Sequence, residues 1–130
     1  MTRTLLIDDL RGFRDDRPAT IMRTSAAALE FYAENPDAEF DEIWLDHDLG
    51  LFPDTKQDDT IMRVVDYFCE RAFVDDNPVK VGLFYIHTSN PRRDAMKMSL
   101  ERFGYPTKTV DAMGYLRRVI WNDDEDEQNS

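Results

Sequence analysis

Three short apolar runs along the chain each end on a polar segment. Thr4-Leu5-Leu6-Ile7 runs into Asp8-Asp9, Ile43-Trp44-Leu45 into Asp46-His47-Asp48, and Val81-Gly82-Leu83-Phe84-Tyr85-Ile86 into His87-Thr88-Ser89-Asn90. Near-continuous apolar runs of this length mark strands buried on both faces. The pattern predicts strands over residues 3–8, 41–46 and 79–87, the last being the most apolar and so the expected central one. Shorter strands are predicted over residues 19–24 and 106–110.

Between the strands the spacing becomes helical. Ser25 reads as a cap, with Ala26, Leu29, Tyr32 and Ala33 on one face and Asn35-Pro36 as the stop. Residues 58–73 form a second helix with Ile61, Val64, Val65, Phe68 and Ala72 at core spacing, broken at Asn77-Pro78. Asn90 caps a third, with Pro91 at its first position, Ala95, Met96, Ser99, Leu100 and Phe103 facing inward, and Gly104 closing it. Asp111 caps a last helix that buries Ala112, Leu116, Val119 and Ile120.

Alternating strands and helices imply a parallel sheet covered on both faces. All three polar segments then fall at the carboxyl edge of the sheet, where open α/β sheets bind ligands. Residues 9–18 are dense in charge and lack helical period, so they read as a loop. Only about 11 residues separate the first two strands, whereas a parallel crossover wants a dozen or more, usually with a helix. Either the first helix is lost or the second strand is not one. The segment 48–56, with Gly50 and Pro53, reads as a long loop.

Composition narrows the function. A chain of 130 residues, 42% hydrophobic, fits one domain with one core. We place it at residues 1–121, followed by an acidic disordered tail over residues 122–130. The net charge of -11 excludes bulk binding to a nucleic-acid backbone, which needs clustered Lys and Arg. A small nucleotide or a single RNA end stays open as a substrate. The pairs Asp58-Asp59 and Asp75-Asp76 read as surface. Cys69, the single cysteine, forms no internal disulfide and fits a reducing compartment as a small core residue. Neither a membrane span nor a signal peptide is legible, so a cytoplasmic location is expected.

The rim residues suggest phosphate chemistry. Carboxylates from Asp8, Asp9, Asp46 and Asp48 suit Mg²⁺ or another divalent cation, which takes a few protein oxygens plus water. The plainer alternative is one Asp capping a turn and the others solvated. His47 and His87, the two histidines, titrate near neutrality and suit acid–base work; either can instead tie loops together through backbone carbonyls. Thr88, Ser89 and Asn90 precede a helix start, where backbone N–H groups favour an anion. Arg11 either grips a phosphate or neutralises the acidic pair. His87-Thr88-Ser89 matches one element of two-histidine phosphoesterases, but His47-Asp48-Leu49 does not supply the second. A Walker-type phosphate loop is missing, which argues against an NTPase.

Taken in order, Asp8-Asp9-Leu10-Arg11, Met22-Arg23-Thr24, Leu45-Asp46-His47-Asp48-Leu49-Gly50 and His87-Thr88-Ser89-Asn90-Pro91 resemble the cyclic-phosphate processing receiver-like domain family. The Leu-Asp-His-Asp-Leu-Gly string is the most specific element. The resemblance implies a flavodoxin-like sheet of about five strands with helices on both faces, a shortened or missing first crossover helix, and action on cyclic phosphates of nucleotides or RNA ends. Pro18 stands downstream of the position usual after Asp-Asp-x-Arg, behind an insertion. Likeness to response-regulator receivers is looser. It matches Asp8, Asp9 and Asp46 to a Mg²⁺-holding and phospho-accepting set, Thr88 or Ser89 to the switch hydroxyl, and Lys108 to the receiver lysine. The histidines are foreign to that pattern and favour phosphodiester chemistry.

Three readings follow. In the first, a metal-dependent phosphodiesterase uses Asp46, His47 and His87 in catalysis, Arg11 with residues 88–90 on the phosphate, and Asp8, Asp9, Asp46 and Asp48 on the cation. In the second, Asp46 is phosphorylated in a signalling receiver. In the third, the domain binds a nucleotide or phosphate without turning it over.

Overall fold

The apolar runs that end at Ile7, Leu45 and Ile86 propagate as strands and stop where carboxylates or imidazole begin. The computed structural model describes residues 3–51, 58–87 and 91–120. In chain order the elements are β1 (Thr4–Ile7), β2 (Arg11–Phe13), β3 (Thr20–Met22), α1 (Ser25–Glu34), β4 (Glu39–Leu45), β5 (Asp48–Leu51), β6 (Asp58–Thr60), α2 (Met62–Phe73), β7 (Lys80–Ile86), α3 (Arg93–Arg102), β8 (Thr107–Thr109), α4 (Ala112–Tyr115) and β9 (Leu116–Arg118).

Five strands form one parallel sheet in the order β3-β1-β4-β7-β8, the flavodoxin-like order. The middle strand is β4. β7, expected there, lies one place outward and is less buried than β1.

Crossover handedness explains the layers. The connections β3→β4, β4→β7 and β7→β8 all step the same way across the sheet, so right-handed crossovers put α1, α2 and α3 on one face. Leu5, Ile7, Ile43, Leu45, Phe84 and Ile86 point to that face. They pack against Ala28 and Tyr32 of α1, Val64, Val65 and Phe68 of α2, and Met96 and Leu100 of α3. Each such large side chain taken fully from water contributes about 1.5–3 kcal/mol.

The connection β1→β3 steps the other way, and its helix is the one that is missing. β2 takes its place and pairs antiparallel with β9. That ribbon, with the single turn of α4, covers the second face. Leu6 and Trp44 meet Phe13 and Leu116 there. Trp44 stacks on Tyr85 at 4.3 Å and donates its indole N–H to Glu42 at 3.2 Å.

Several local expectations are corrected. Thr24, not Ser25, caps α1 by accepting from the Ala27 N–H, and the buried face is Ser25, Ala28 and Tyr32, with Ala26 and Ala33 exposed. α2 begins at Met62 because residues 58–60 pair with β5. Asp59 is buried, not on the surface: it accepts from the Ser25 N–H at 2.9 Å and from the Ser25 hydroxyl at 2.5 Å, tying β6 to α1. Asp75 and Asp76 are exposed as expected. Pro91 stands two residues before α3 rather than at its first position, and Ala95 is exposed. Gly104 closes α3 with φ +91°, a left-handed conformation that costs glycine nothing. The last predicted helix is only α4; Leu116 is buried from β9, whereas Val119 and Ile120 are exposed. The predicted tail, 122–130, lies outside the described residues.

Candidate functional site

Three residues extend the sheet by one peptide each at its carboxyl edge. The Asp8 N–H donates to the Met22 carbonyl at 3.1 Å, the Asp46 N–H to Ile7 at 3.2 Å and the His87 N–H to Leu45 at 3.2 Å. Neighbouring strands lie about 4.8 Å apart, so these bonds set Asp8, Asp46 and His87 in a row. The row spans the point where the crossover direction reverses, between β1 and β4, the usual crevice for a ligand.

Asp8, Asp9 and Asp46 each bring one carboxylate oxygen within 4.8 Å of the others. Asp8 is fully buried. Its Oδ1 accepts from the Leu10 and Arg11 N–H groups, both at 2.9 Å, which folds the chain into a tight turn after β1. Its Oδ2 has no hydrogen-bond partner. The groups facing it are Arg11 Nη1 at 3.6 Å and His87 Nδ1 at 3.8 Å, and Arg11 Nη1 also stands 3.9 Å from Asp46 Oδ2. Arg23 pins the turn from beneath, donating to the Asp8 carbonyl at 3.2 Å and the Arg11 carbonyl at 2.6 Å.

Burial outweighs the local compensation at Asp8. Burial raises the pKa of Asp8 above the usual carboxylate value, although backbone donors, Arg11 and Arg23 oppose it. Asp9 is raised too, by burial and by the charge of Asp8. His87 is lowered to about 3, first by burial and then by Arg11, so its imidazole is neutral at neutral pH. Three hard oxygen donors, one of them buried with a lone oxygen unengaged, fit a divalent cation, which would relieve the crowding.

A cleft of about 420 Å³ opens beside this cluster, lined by Arg11, His87, Arg93, Thr109 and Asp111 among others. Of the predicted site residues, the structure thus brings together Asp8, Asp9, Asp46, Arg11 and His87. His47 is buried at the β4–β5 turn, where its Nδ1 lies 2.9 Å from the Asp48 carboxylate and its carbonyl accepts from the Ile61 N–H. Asp48 is largely exposed there and stands as the partner of His47, outside the carboxylate trio. Thr88, Ser89 and Asn90 lie outside the described residues. Lys108 is exposed on β8, in register with Tyr85, and does not line the cleft.

Sequence reasoning missed Arg93, Thr109 and Asp111 as cleft residues. A signal for Arg93 existed: Arg92-Arg93 puts cations at a helix start, which the helix dipole disfavours. Such local rule-breaking tends to mark functional positions.

Residues 3–102 match the model of the cyclic-phosphate processing receiver domain family. The chain belongs to that family. No curated protein and no solved structure matches it. Among the described residues no helix is long and apolar enough to cross a membrane.

Proposed function

We propose that this member of the cyclic-phosphate processing receiver family hydrolyses a cyclic phosphodiester, with a divalent cation held by Asp8, Asp9 and Asp46. One observation carries the reading. A buried carboxylate oxygen without a hydrogen bond, Asp8 Oδ2, stands beside two further carboxylates, a guanidinium and a neutral imidazole at the mouth of a cleft. When bound, Mg²⁺ supplies Lewis-acid polarisation of the phosphoryl oxygens.

The chain's own residues do the rest. Arg11 pairs with the phosphate anion and holds it against the rim. His87 lines the cleft and accepts a proton from the attacking water as its oxygen bonds to phosphorus, the Asp8 carboxylate 3.8 Å from Nδ1 favouring the imidazolium and offsetting the basicity lost to burial. The bond from phosphorus to one ribose oxygen breaks, and that oxygen takes the proton back from the imidazole. The product is a phosphate monoester with one free hydroxyl. His47, positioned by Asp48, supports the β4 end from which Asp46 projects.

The test is release of phosphomonoester from 2′,3′- and 3′,5′-cyclic nucleotides in the presence of Mg²⁺. His87→Ala is expected to lose turnover, and equal turnover in variant and parent removes His87 from the mechanism. A second reading draws on the same trio: Asp46 as phospho-acceptor of a signalling receiver. A mass gain of one phosphoryl group after incubation with a small phosphodonor, absent in Asp46→Asn, favours it. Tight nucleotide binding by calorimetry without product favours a non-catalytic binding module.

A further inference from the structure

We infer that Arg93 binds a second phosphate of the substrate, set apart from the cyclic one, an assignment that rests on the phosphodiesterase reading above. Arg11 and Arg93 line the same cleft. Arg11 stands at the carboxylates, within 3.6 Å of Asp8 and 3.9 Å of Asp46. Arg93 is the first residue of α3, is exposed, and its guanidinium has no ion pair among the described residues. A cation at that end of a helix is opposed by the helix dipole. An anion arriving in the cleft reverses the sign of that interaction, because it meets both the guanidinium and the positive helix end.

The cleft is built for a polar occupant. His87 is 1% exposed, lines it, and has neither ring nitrogen hydrogen-bonded. The volume, about 420 Å³, lies within the range of small-molecule sites. A cyclic phosphodiester carries one negative charge, which a single guanidinium matches. Two guanidinium groups line the cleft with one carboxylate, Asp111, which is occupied in capping α4 by accepting from the Met113 N–H at 3.0 Å, and the two cations match two phosphates. In a nucleotide closed between its 2′ and 3′ oxygens, the second phosphate is the one on the 5′ oxygen. It can be a terminal 5′-phosphate or the next link of an RNA strand. A 3′,5′-cyclic mononucleotide has none and is the poorer fit.

The experiment uses the full chain with Mg²⁺ and three substrates: a nucleoside 2′,3′-cyclic phosphate, the same compound bearing a 5′-phosphate, and a short oligoribonucleotide ending in the same cyclic phosphate. In the parent, KM for the two substrates with a second phosphate is expected to be about tenfold lower, the scale of one charged hydrogen bond. Arg93→Ala should abolish that preference, raising the KM of the singly charged substrate far less than that of the other two, and Arg93→Lys should restore part of it. Equal KM values in the parent, with turnover intact, overturn the inference and leave the phosphodiesterase reading standing. A preference that survives Arg93→Ala also overturns it. Calorimetry separates the two claims: tighter binding of the 5′-phosphorylated ligand, lost in Arg93→Ala, with no turnover of any substrate, upholds Arg93 and sinks the reading. Neither binding nor turnover overturns both. A gain with both the 5′-phosphate and the oligonucleotide assigns the contact to the phosphate itself. A gain with the oligonucleotide alone, lost in Arg93→Ala, assigns it to the RNA link.

Discussion

Asp8 and His87 face each other at the sheet's carboxyl edge with 3.8 Å between Oδ2 and Nδ1, both side chains out of contact with solvent. Neither atom has a hydrogen-bond partner. Burial pushes the acid up and the base down, so each is driven toward its neutral form. A site that leaves this pair unsatisfied gains from whatever brings positive charge to the carboxylates.

Mg²⁺ should raise the thermal midpoint of the parent, by the equivalent of about 2.7 kcal/mol at a hundredfold excess over Kd, and should not move Asp46→Ala. Because the folded-state pKa of Asp8 is raised, its ionised form weakens the fold above that pKa, and the cost disappears as pH falls through it. Asp8→Asn keeps the oxygen that accepts from Leu10 and Arg11. Without metal it should therefore be more stable than the parent near neutral pH, by about 1 kcal/mol, while losing its response to Mg²⁺. Chemical denaturation with and without the cation reads both effects.

His87 gives the opposite pH dependence. Its folded pKa, about 3, lies below the unfolded value of 6.5, so the unfolded chain takes up a proton first. Stability supported by the neutral imidazole is complete above pH 6.5 and is lost as pH falls toward 3, at a slope of up to about 1.4 kcal/mol per pH unit. Denaturation midpoints measured between pH 7 and 4 in an Asp8→Asn background isolate this slope. His87→Gln should flatten it.

Asp59 is expected to matter for stability alone. Removing its carboxylate leaves the buried Ser25 hydroxyl and backbone N–H without their acceptor. Asp59→Ala should cost about 2–3 kcal/mol. The response of its thermal midpoint to Mg²⁺ should match the parent's, because Asp59 is not a member of the carboxylate trio.

Gly82 is held to its identity by the neighbouring strand. A Cβ built there would lie 2.5 Å from the Asp41 carbonyl oxygen, a backbone atom that cannot swing away. Gly82→Ala should destabilise by about 1–3 kcal/mol through overpacking, read as a lower denaturation midpoint with an unchanged slope.

The three long strands of the parallel sheet were legible because their apolar runs are bounded by carboxylates and imidazole, and the same boundaries exposed Asp8, Asp46 and His87 as rim residues. The short gap between the first two strands left either a lost helix or a false second strand, the family resemblance implied the lost helix, and the β1–β3 pairing decides for it. The β2–β9 ribbon was not legible. Phe13 and Leu116 pair across about a hundred residues, and Leu116, Val119 and Ile120 happen to fall at helical spacing, so local pattern argued for a helix that long-range pairing overrides. Asp59 was misplaced for a related reason: its partner, Ser25, is 34 residues away. Arg93 carries one weak sequence signal, a cation at a helix start against the helix dipole, and no motif. Only the fold shows that it shares a cleft with Arg11 and His87.

The most direct measurement is phosphorus NMR of a nucleoside 2′,3′-cyclic phosphate incubated with the full chain. With Mg²⁺ the cyclic-phosphate resonance is expected to give way to that of a phosphate monoester, and chelation or Asp46→Asn to stop the conversion. A cyclic resonance that persists with parent protein and Mg²⁺, or a conversion that proceeds equally in Asp46→Asn, contradicts it.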